Sequence, residues 1–345
     1  MKKWLTVLPV AALLFTGLIA HAEEKPKVIR YGSVGNAFGK PYAAGTDGVV
    51  DVQALLVNEF RNDGVRIERT YYTATGPGLN EAFAAGLLDF GDYGDLPIVV
   101  GKAGGLKTKY ILPTNKGSNI YIIATPQSKI SSVKDLKGKK IAVTKGTYLH
   151  LTLNRVLEAN GLTEKDVKLV NLSTSDAQNA IAAGSVDAFA GLPDRPLVDQ
   201  GLAKLIYDTR KDPQKWRGRS GLLVSEDFAR KYPEFTKRVV KAKIKAAHWA
   251  SQEKNREALI QLALKTGSGY KVTKEDFAGQ DLTAKYSPLA DQSTVNQYKE
   301  IVDFAFSRGL IRKKFDVDTW IDKSFAEAAL KELGLQNYWT PLSKE

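Results

Sequence analysis

Five short segments carry the side chains that could do chemistry, and each combines glycine with hydroxyl, amide, aromatic or arginine groups. Glycine lets backbone amides approach a ligand closely, and the free amides at a helix start favour a negative charge. Arginine can hold an oxyanion with two parallel hydrogen bonds. This combination fits the binding of a small anion. The candidate binding residues are Ser33, Asn36, Phe38, Tyr93, Gly94, Asp95, Gly146, Thr147, Tyr148, His150, Asp194, Arg195 and Arg219.

The strongest candidate for an anion site joins a predicted strand at residues 141–143 to a predicted helix at residues 147–160. Gly146 allows the turn, the hydroxyl of Thr147 can donate a hydrogen bond, and the first-turn amides point outward. The chain contains neither GxxxxGKS/T nor GxGxxG, so this segment does not match a nucleotide-binding loop. An ordinary capped helix is the alternative.

The segments around Ser33 and Tyr93 leave two interpretations open. Residues 32–38 follow the first predicted strand and are equally compatible with a plain turn. In the second segment, Asp95 would repel an anion and is predicted to cap the helix that follows. Tyr93 and the backbone amide of Gly94 are therefore the better contacts there.

The two arginine segments also have simple structural alternatives. Asp194 and Arg195 follow the predicted strand at residues 186–190, but they can equally form a surface ion pair of little energetic value. Arg219 lies where the chain is expected to return between two lobes. Its guanidinium could reach a cleft, and the neighbouring Trp216 could wall that cleft or pack the lobes together.

Groups for catalysis or metal binding are scarce in this sequence. There is no cysteine, and beyond residue 22 the histidines are His150 and His248. Two histidines without cysteine argue against a metal site, and no GxSxG nucleophile elbow is present. We therefore expect no metal, no cofactor and no enzymatic activity.

Alternating strands and helices must position these segments. Short apolar runs predict strands at residues 28–31, 65–72, 88–90, 109–112, 120–124, 141–143, 167–172, 186–190, 205–207 and 222–225. Helical spacing and cap residues predict helices at residues 52–60, 79–85, 147–160, 175–183, 235–251, 256–265, 295–308 and 324–333. The pattern predicts an α/β fold with two lobes, each a mostly parallel sheet flanked by helices, and a helical C-terminal part.

The chain is expected to start in one lobe, visit the second and return. Segments rich in glycine, serine, proline or charge mark the crossings near residues 113–118 and 211–221. In open α/β sheets, ligands bind beyond the carboxyl ends of the strands. The candidate residues follow predicted strands, so we expect them to meet in a cleft between the lobes.

The N-terminus has the order of a secretory signal peptide. Lys2 and Lys3 precede an uncharged apolar run at residues 5–19, and Ala20-His21-Ala22 offers a cleavage site. The run is shorter than the roughly 20 residues of a membrane-spanning helix. We expect cleavage after Ala22 and a soluble mature chain. The absence of cysteine excludes a lipid-modified cysteine, which favours a free periplasmic protein.

The charge balance is basic, with 50 Lys+Arg against 38 Asp+Glu and a net charge of +12. A basic protein can bind nucleic acid, an acidic surface or an anionic ligand. Export argues against nucleic acid, and the basic residues are scattered along the chain. Most of them are expected to be solvated surface.

Three motifs occur in a fixed order along the chain. Residues 86–97 read GLLDFGDYGDLP; residues 135–142 read DLKGKKIA and lead to KGT at 145–147, with a histidine at 150; residues 184–188 read GSVDA. In this order and spacing they resemble motifs of the periplasmic binding proteins of sulfonate, taurine and nitrate importers. The aliphatic sulfonate branch is the most similar. The matched motifs lie within residues 28–225.

The resemblance implies a two-lobed periplasmic binding protein fold of type II. Residues 1–22 would be the signal peptide, residues 23–115 and 217–345 lobe 1, and residues 116–216 lobe 2. The lobes would close on a small organic anion, a sulfonate or a sulfate ester. The closed form would then meet the membrane permease and ATPase of an ABC importer, most simply as a monomer.

Two departures from the family pattern concern loops that should face the cleft. Leu192-Pro193-Asp194-Arg195 stands where the family often has an aromatic residue and Asp-Pro, and residues 36–51 are long and rich in glycine. The ligand could therefore be larger than a simple alkanesulfonate. Nitrate, taurine and carboxylates also remain open as ligands, and a sensory binding protein remains open as a role.

An enzyme on the same fold is the alternative from another functional class. The enzymes that make a pyrimidine precursor are expected to need a metal region rich in histidine and cysteine. This chain has no cysteine and three histidines, one of them within the predicted signal peptide. The sequence therefore favours binding over catalysis.

Overall fold

The computed structural model describes residues 24–38, 40–73, 75–192, 196–212 and 216–342, which build two five-stranded sheets flanked by helices. The α/β class predicted from the sequence is confirmed. The predicted signal peptide lies outside the described residues. Across the described ranges, no helix has the length and apolar character that crossing a membrane requires.

The first sheet contains strands from before and after the segment that forms the second sheet. In spatial order its strands are β4 (Arg66–Tyr72), β1 (Val28–Val34), β5 (Phe90–Gly94), β12 (Gly218–Ser225) and β6 (Thr108–Ser118). Strand β1 runs parallel to β4 and β5, whereas β12 runs antiparallel to β5 and β6.

The second sheet is formed by the middle of the chain. In spatial order its strands are β11 (Lys204–Asp208), β7 (Tyr121–Ala124), β10 (Ala188–Gly191), β8 (Lys140–Val143) and β9 (Lys168–Asn171). Strand β8 is parallel to β10 and β9, and β7 is antiparallel to β10 and β11. Each sheet is thus mixed, but four of its five strands run in the same direction, and only β12 in the first sheet and β7 in the second run against them. The mostly parallel sheets predicted from the sequence are therefore confirmed.

Fifteen α-helices cover these sheets in the part of the chain that is described. They are α1 (Gly45–Val52), α2 (Leu55–Phe60), α3 (Thr75–Ala84), α4 (Asp95–Ala103), α5 (Tyr148–Ala159), α6 (Thr174–Ala182), α7 (Pro196–Asp199), α8 (Glu226–Lys231), α9 (Pro233–Ala250), α10 (Arg256–Leu264), α11 (Tyr270–Phe277), α12 (Leu282–Lys285), α13 (Gln292–Ser307), α14 (Val317–Trp320) and α15 (Ser324–Glu332). The four long helices predicted after residue 230 are confirmed to within three residues at each end.

The stretch between β1 and β4 differs from its prediction. The expected loop at residues 36–51 contains an antiparallel hairpin, β2 (Asn36–Phe38) and β3 (Lys40–Tyr42), followed by α1. The single helix expected at residues 52–60 is divided, because Ala54 adopts a left-handed backbone with φ of 51°. The apolar spacing of residues 52–60 predicted helix but could not reveal this break.

Both faces of each sheet are packed against helices. On the first sheet, one core includes Val49 of α1, Val240 of α9 and Leu330 of α15, and the opposite core includes Ile98 of α4 and Ile301 of α13. The second sheet also has a core on each face. Strands that are buried on both faces have continuous apolar sequences. This pattern explains why most of the strands could be predicted from the sequence.

The chain leaves the first sheet through β6 and returns through β12, and these two strands are neighbours. Their pairing includes Gly218 with Ser118 and Ser220 with Asn115. The predicted crossing at residues 113–118 is therefore ordered as the end of a strand. This places the start of β12 and the end of β6 side by side at the boundary between the two sheets.

Candidate ligand-binding cavity

A cavity of about 340 Å³ lies between the two sheets. Val34 at the end of β1 and Gly94 at the end of β5 approach it from the first sheet. Thr144 and Leu192, which directly follow β8 and β10, approach it from the second. The cavity therefore occupies the position beyond the carboxyl ends of strands where α/β proteins bind ligands.

Helix starts from both sides face this cavity. Ala44 and Thr147, the residues that precede α1 and α5, line it, and neither forms a side-chain cap. The first backbone amides of a helix have no partner within the helix. These two starts can therefore offer amide donors and a partial positive charge to an anion.

Aromatic side chains form much of the remaining wall. They are Tyr42, Tyr93, Tyr148, Phe277 and Tyr286. Burial raises the pKa of Tyr93 and of Tyr148 well above the ordinary value, so both phenols stay neutral near pH 7. The wall can consequently contact the carbon part of a ligand while adding no charge from these rings.

A buried ion network supports the cavity from the first sheet. Lys243 of α9 is fully enclosed, and its Nζ lies 2.6 Å from Asp47 Oδ1 and 2.8 Å from Asp92 Oδ2. Both carboxylates also line the cavity. Thr114 donates to Asp92 at 2.7 Å, and Ser33 donates to Asp47 at 2.5 Å.

The pKa values in this network follow from burial and from the shared lysine. Burial alone would raise the pKa of Asp47, but the charges of Lys243 and Arg69 outweigh it and lower that pKa. Burial dominates at Asp92 and raises its pKa. Burial opposes the charge of Lys243, yet the two carboxylates keep its pKa raised. The lysine is therefore charged at neutral pH, and its ammonium is paired with these two carboxylates rather than available to a ligand.

The C-terminal helices add a second pair of ionisable groups to the wall. Asp276 accepts hydrogen bonds from Asn119 Nδ2 at 2.6 Å and Tyr121 Oη at 3.3 Å. Lys285, the last residue of α12, is 6% exposed and donates from Nζ to the carbonyl of Gly117 at 2.6 Å. Burial is the main cause that lowers the pKa of Lys285 to about 8.

Four of the residues predicted from the sequence line the cavity. They are Tyr93, Gly94, Thr147 and Tyr148. The hydroxyl of Thr147 donates to the carbonyl of Thr144 at 2.7 Å, so it is not the free donor that the sequence suggested. The contribution of this segment is the start of α5 together with the ring of Tyr148.

Five other predicted residues are described but do not line the cavity. Gly146 and His150 shape the turn before α5: Gly146 has φ of 73°, and its amide donates to His150 Nδ1 at 3.4 Å. With Nδ1 accepting this bond, Nε2 can donate to Glu164 Oε2, which lies 3.0 Å away. Ser33 belongs to the ion network.

Asp95 and Arg219 tie the start of α4 to β12. Asp95 is fully buried and accepts from the Leu96 amide at 2.7 Å and the Arg219 amide at 3.0 Å. Burial raises the pKa of Asp95. The guanidinium of Arg219 is itself buried among Tyr110, Tyr298 and neighbouring acidic groups rather than on the cavity wall.

The remaining predicted residues cannot be placed from side-chain geometry. Asp194 and Arg195 lie outside the described residues, and for Asn36 and Phe38 the backbone of β2 is described without the side chains. Their roles stay predictions. Within the described chain, no cluster of three or more His, Cys, Asp or Glu side chains could hold a metal ion.

Sequence reasoning missed the contribution of the C-terminal helices to the site. Asp276, Phe277, Lys285 and Tyr286 reach the cavity from segments that follow the predicted second crossing. No motif distinguishes Lys285 among the 50 Lys+Arg of the chain. The packing of α12 against β6, together with the hydrogen bond from Asn119 to Asp276 of α11, brings these side chains to the wall.

Comparisons with known proteins agree with this architecture. The family described as NMT1/THI5 like matches residues 60–256, more than half of the chain. A Bacillus subtilis protein, assigned by name as an aliphatic sulfonates-binding protein, is 28% identical over 276 residues, which cover 79% of this chain and 81% of the relative.

Solved structures extend the similarity over nearly the whole chain. A structure from Methylobacillus flagellatus, assigned as the periplasmic sulfonate-binding protein SsuA of a sulfonate ABC transporter, is 34% identical. It aligns with a TM-score of 0.80 over 92% of this chain and 98% of its own. The desulfurization enzyme DSZB shares the fold at 18% identity and a TM-score of 0.64, over 89% of this chain and 100% of its own. Because the NMT1/THI5-like family model matches more than half of its residues, the chain belongs to that family.

Proposed function

We propose that this chain is the periplasmic substrate-binding component of an ABC importer and that it captures a small organic anion, a sulfonate or a sulfate ester. The relatives from Methylobacillus flagellatus and Bacillus subtilis carry names of sulfonate-binding proteins. Their similarity covers most of the chain, whereas DSZB shares only the fold. These comparisons support binding rather than catalysis.

The observation that carries the proposal is the meeting of two uncapped helix starts at one cavity. Helices α1 and α5 come from different sides of the cavity, and the residues at both starts line it. Their free amides suit an oxyanion. The aromatic wall can contact an organic group, whereas nitrate has no apolar part that could pack against it.

The sulfur content of the chain supports a sulfur compound as the cargo. The sequence contains no cysteine and one methionine, which is Met1. Once the signal peptide leaves, the mature protein would contain no sulfur. Such a protein can be made in quantity when sulfur is scarce, which is when a cell gains most from importing sulfonates. A carboxylate or nitrate importer has no comparable reason to avoid both residues.

The proposed clamp divides the chain into lobes as the sequence suggested. Lobe 1, residues 23–115 and 217–345, would hold the first sheet except for the last three residues of β6, and lobe 2, residues 116–216, would hold the second sheet. Closure of the lobes over the ligand would present a surface to the permease. Residues 1–22 would direct export and be removed. Mass spectrometry of the periplasmic fraction tests the export step, with a mature N-terminus at Glu23 as the expected result.

A thermal-shift screen of the purified protein tests the ligand class. The panel holds 1-butanesulfonate, taurine, an aryl sulfate ester, benzenesulfonate, nitrate and benzoate. A ligand at 100 times its Kd should stabilise the protein by about 2.7 kcal/mol. We expect stabilisation by a sulfonate or sulfate ester. Mass spectrometry of the compound after incubation with the protein should show that it is chemically unchanged. Stabilisation by nitrate or benzoate alone would refute the proposed ligand class.

A pair of variants locates the binding event. Ser268 is half-buried and lines the cavity, so Ser268→Trp should fill space that the ligand needs. Ser307 is exposed at the end of α13, so Ser307→Trp adds the same side chain elsewhere. The thermal shift should disappear in the first variant and persist in the second. An equal shift in both would place binding outside this cavity.

A further inference from the structure

The wall of the cavity has one cationic side chain among the residues that the structure describes. Asp47, Asp92 and Asp276 are its acidic residues, and Lys285 is its lysine. Lys243 lies behind the wall and is paired with the first two carboxylates. The positive charge available to a ligand therefore comes from Lys285 and from the helix starts.

Lys285 is held as a buried group with unused hydrogen-bonding capacity. An ammonium has three N–H donors, and the described partner of Nζ is the Gly117 carbonyl at 2.6 Å. The rings of Phe277 and Tyr286 lie 5.7 and 5.9 Å from Nζ and also line the cavity. Two donors of the ammonium thus remain for another acceptor beside an aromatic surface.

The charge of Lys285 is only partly compensated by its surroundings. Burial opposes the charge most strongly, Asp276 of α11 favours it, and Arg217 and Arg256 oppose it. No described carboxylate oxygen lies within the 4.0 Å of Nζ that defines an ion pair, and the Asp276 carboxylate is held by Asn119 and Tyr121. A buried cation without a close counter-ion is costly. An anion in the cavity would remove that cost.

We propose that Lys285 binds the anionic group of the ligand directly and makes the cavity select anions over neutral molecules of the same shape. The inference rests on the proposed function and deepens it by naming the charge-recognition residue. Phe277 and Tyr286 would contact the carbon atoms next to the anion. The free amides at the starts of α1 and α5 would bind the same anionic group.

Calorimetric titration with a charged probe and its neutral counterpart tests this proposal. The probes are 1-butanesulfonate and butane-1-sulfonamide, which share carbon chain and shape. The wild-type protein should bind the sulfonate at least 10-fold more tightly. Lys285→Met should lose that preference through weaker sulfonate binding, with sulfonamide affinity changed less than 3-fold. Lys285→Arg should keep the preference because it keeps the charge.

A lysine on a nearby helix provides the matched control. Lys274 is exposed on α11, so Lys274→Met removes one positive charge from the same region without touching the wall. It should bind both probes as the wild type does. An equal loss in Lys274→Met and Lys285→Met would show a general charge effect and overturn the proposal.

The pH dependence of sulfonate affinity in the wild-type protein is a test that requires no variant. Sulfonate affinity should be constant from pH 6 to 7.5 and fall above pH 8, with proton uptake on binding at pH 9. Flat affinity up to pH 9.5, or wild-type sulfonate affinity in folded Lys285→Met, would refute the role of Lys285 and leave the proposed function standing. Failure of the wild type to bind any organic anion of the panel would refute both.

Discussion

The ring of Tyr148 lies directly over the α-carbon of Gly218. A β-carbon at position 218 would fall 2.1 Å from Tyr148 Cδ2, and one at Gly94 would fall 3.3 Å from Tyr148 Cδ1. Tyr148 begins α5 beside the second sheet, whereas both glycines belong to strands of the first sheet. One aromatic side chain therefore fills the boundary between the sheets, on the wall of the cavity.

This contact predicts that Gly218→Ala will move the Tyr148 ring and disturb the cavity. The added methyl has no space, and overpacking of this kind costs about 1–3 kcal/mol. We expect a lower free energy of unfolding in urea and weaker binding of the sulfonate. Gly117→Ala is the control, because its β-carbon would lie 3.8 Å from Arg217 Cδ, an ordinary contact. If Gly218→Ala binds and unfolds like Gly117→Ala, the ring is not fixed there.

The ion network predicts a large effect from its central lysine. Lys243→Met would leave Asp47 and Asp92 buried without their shared cation, and breaking a buried pair from one side costs about 3–5 kcal/mol. Lys245, two residues along α9, is 43% exposed and pairs with Glu59. Lys245→Met should change the free energy of unfolding by less than about 1 kcal/mol. Similar urea midpoints for the two variants would contradict the network's role.

Lys285 predicts a pH-dependent stability difference in the absence of ligand. Its pKa is about 8 in the folded chain and about 10.4 when unfolded. Between these values the unfolded chain binds more protons, so the free energy of unfolding rises with pH there. Below pH 8 the buried charge is destabilising in full.

The ligand-free Lys285→Met variant should therefore be more stable than the wild type at pH 7, by on the order of 1–3 kcal/mol. The advantage should shrink as the pH rises from 8 to 10. Urea denaturation of both proteins at pH 7 and pH 9.5 measures it. Lys116 also has a pKa lowered to about 8, but it is present in both proteins and cancels in the difference. A difference that does not change with pH would contradict this assignment.

Local sequence signals located part of the site. Gly146 between a strand and a helix marked the start of α5, and the residues after β5 marked the start of α4, because strand–turn–helix units are encoded within a few residues. Ser33 was expected to follow the first strand in the same way, but it lies within β1, and its hydroxyl donates to Asp47. A hydrogen bond formed across 14 residues leaves no local pattern.

The lysine on the cavity wall could not be recognised from its local sequence. Lys285 lies 168 residues from Gly117, whose carbonyl it contacts, and nothing in its neighbourhood separates it from a surface lysine. Its position depends on helices that pack against the end of β6 only once the chain has returned from the second sheet. Residue types and periodicity predicted the elements, but long-range packing decided which charges face the cavity.

The most direct measurement of the central claim is a crystal structure grown with 1-butanesulfonate and recorded at a wavelength where sulfur scatters anomalously. The chain has no cysteine, and its one methionine is Met1, so the signal from a processed protein belongs to the ligand. We predict an anomalous peak inside the cavity walled by Tyr148, Phe277 and Lys285. A protein that is stabilised by the sulfonate but shows its sulfur peak elsewhere, or no peak in this cavity, would contradict it.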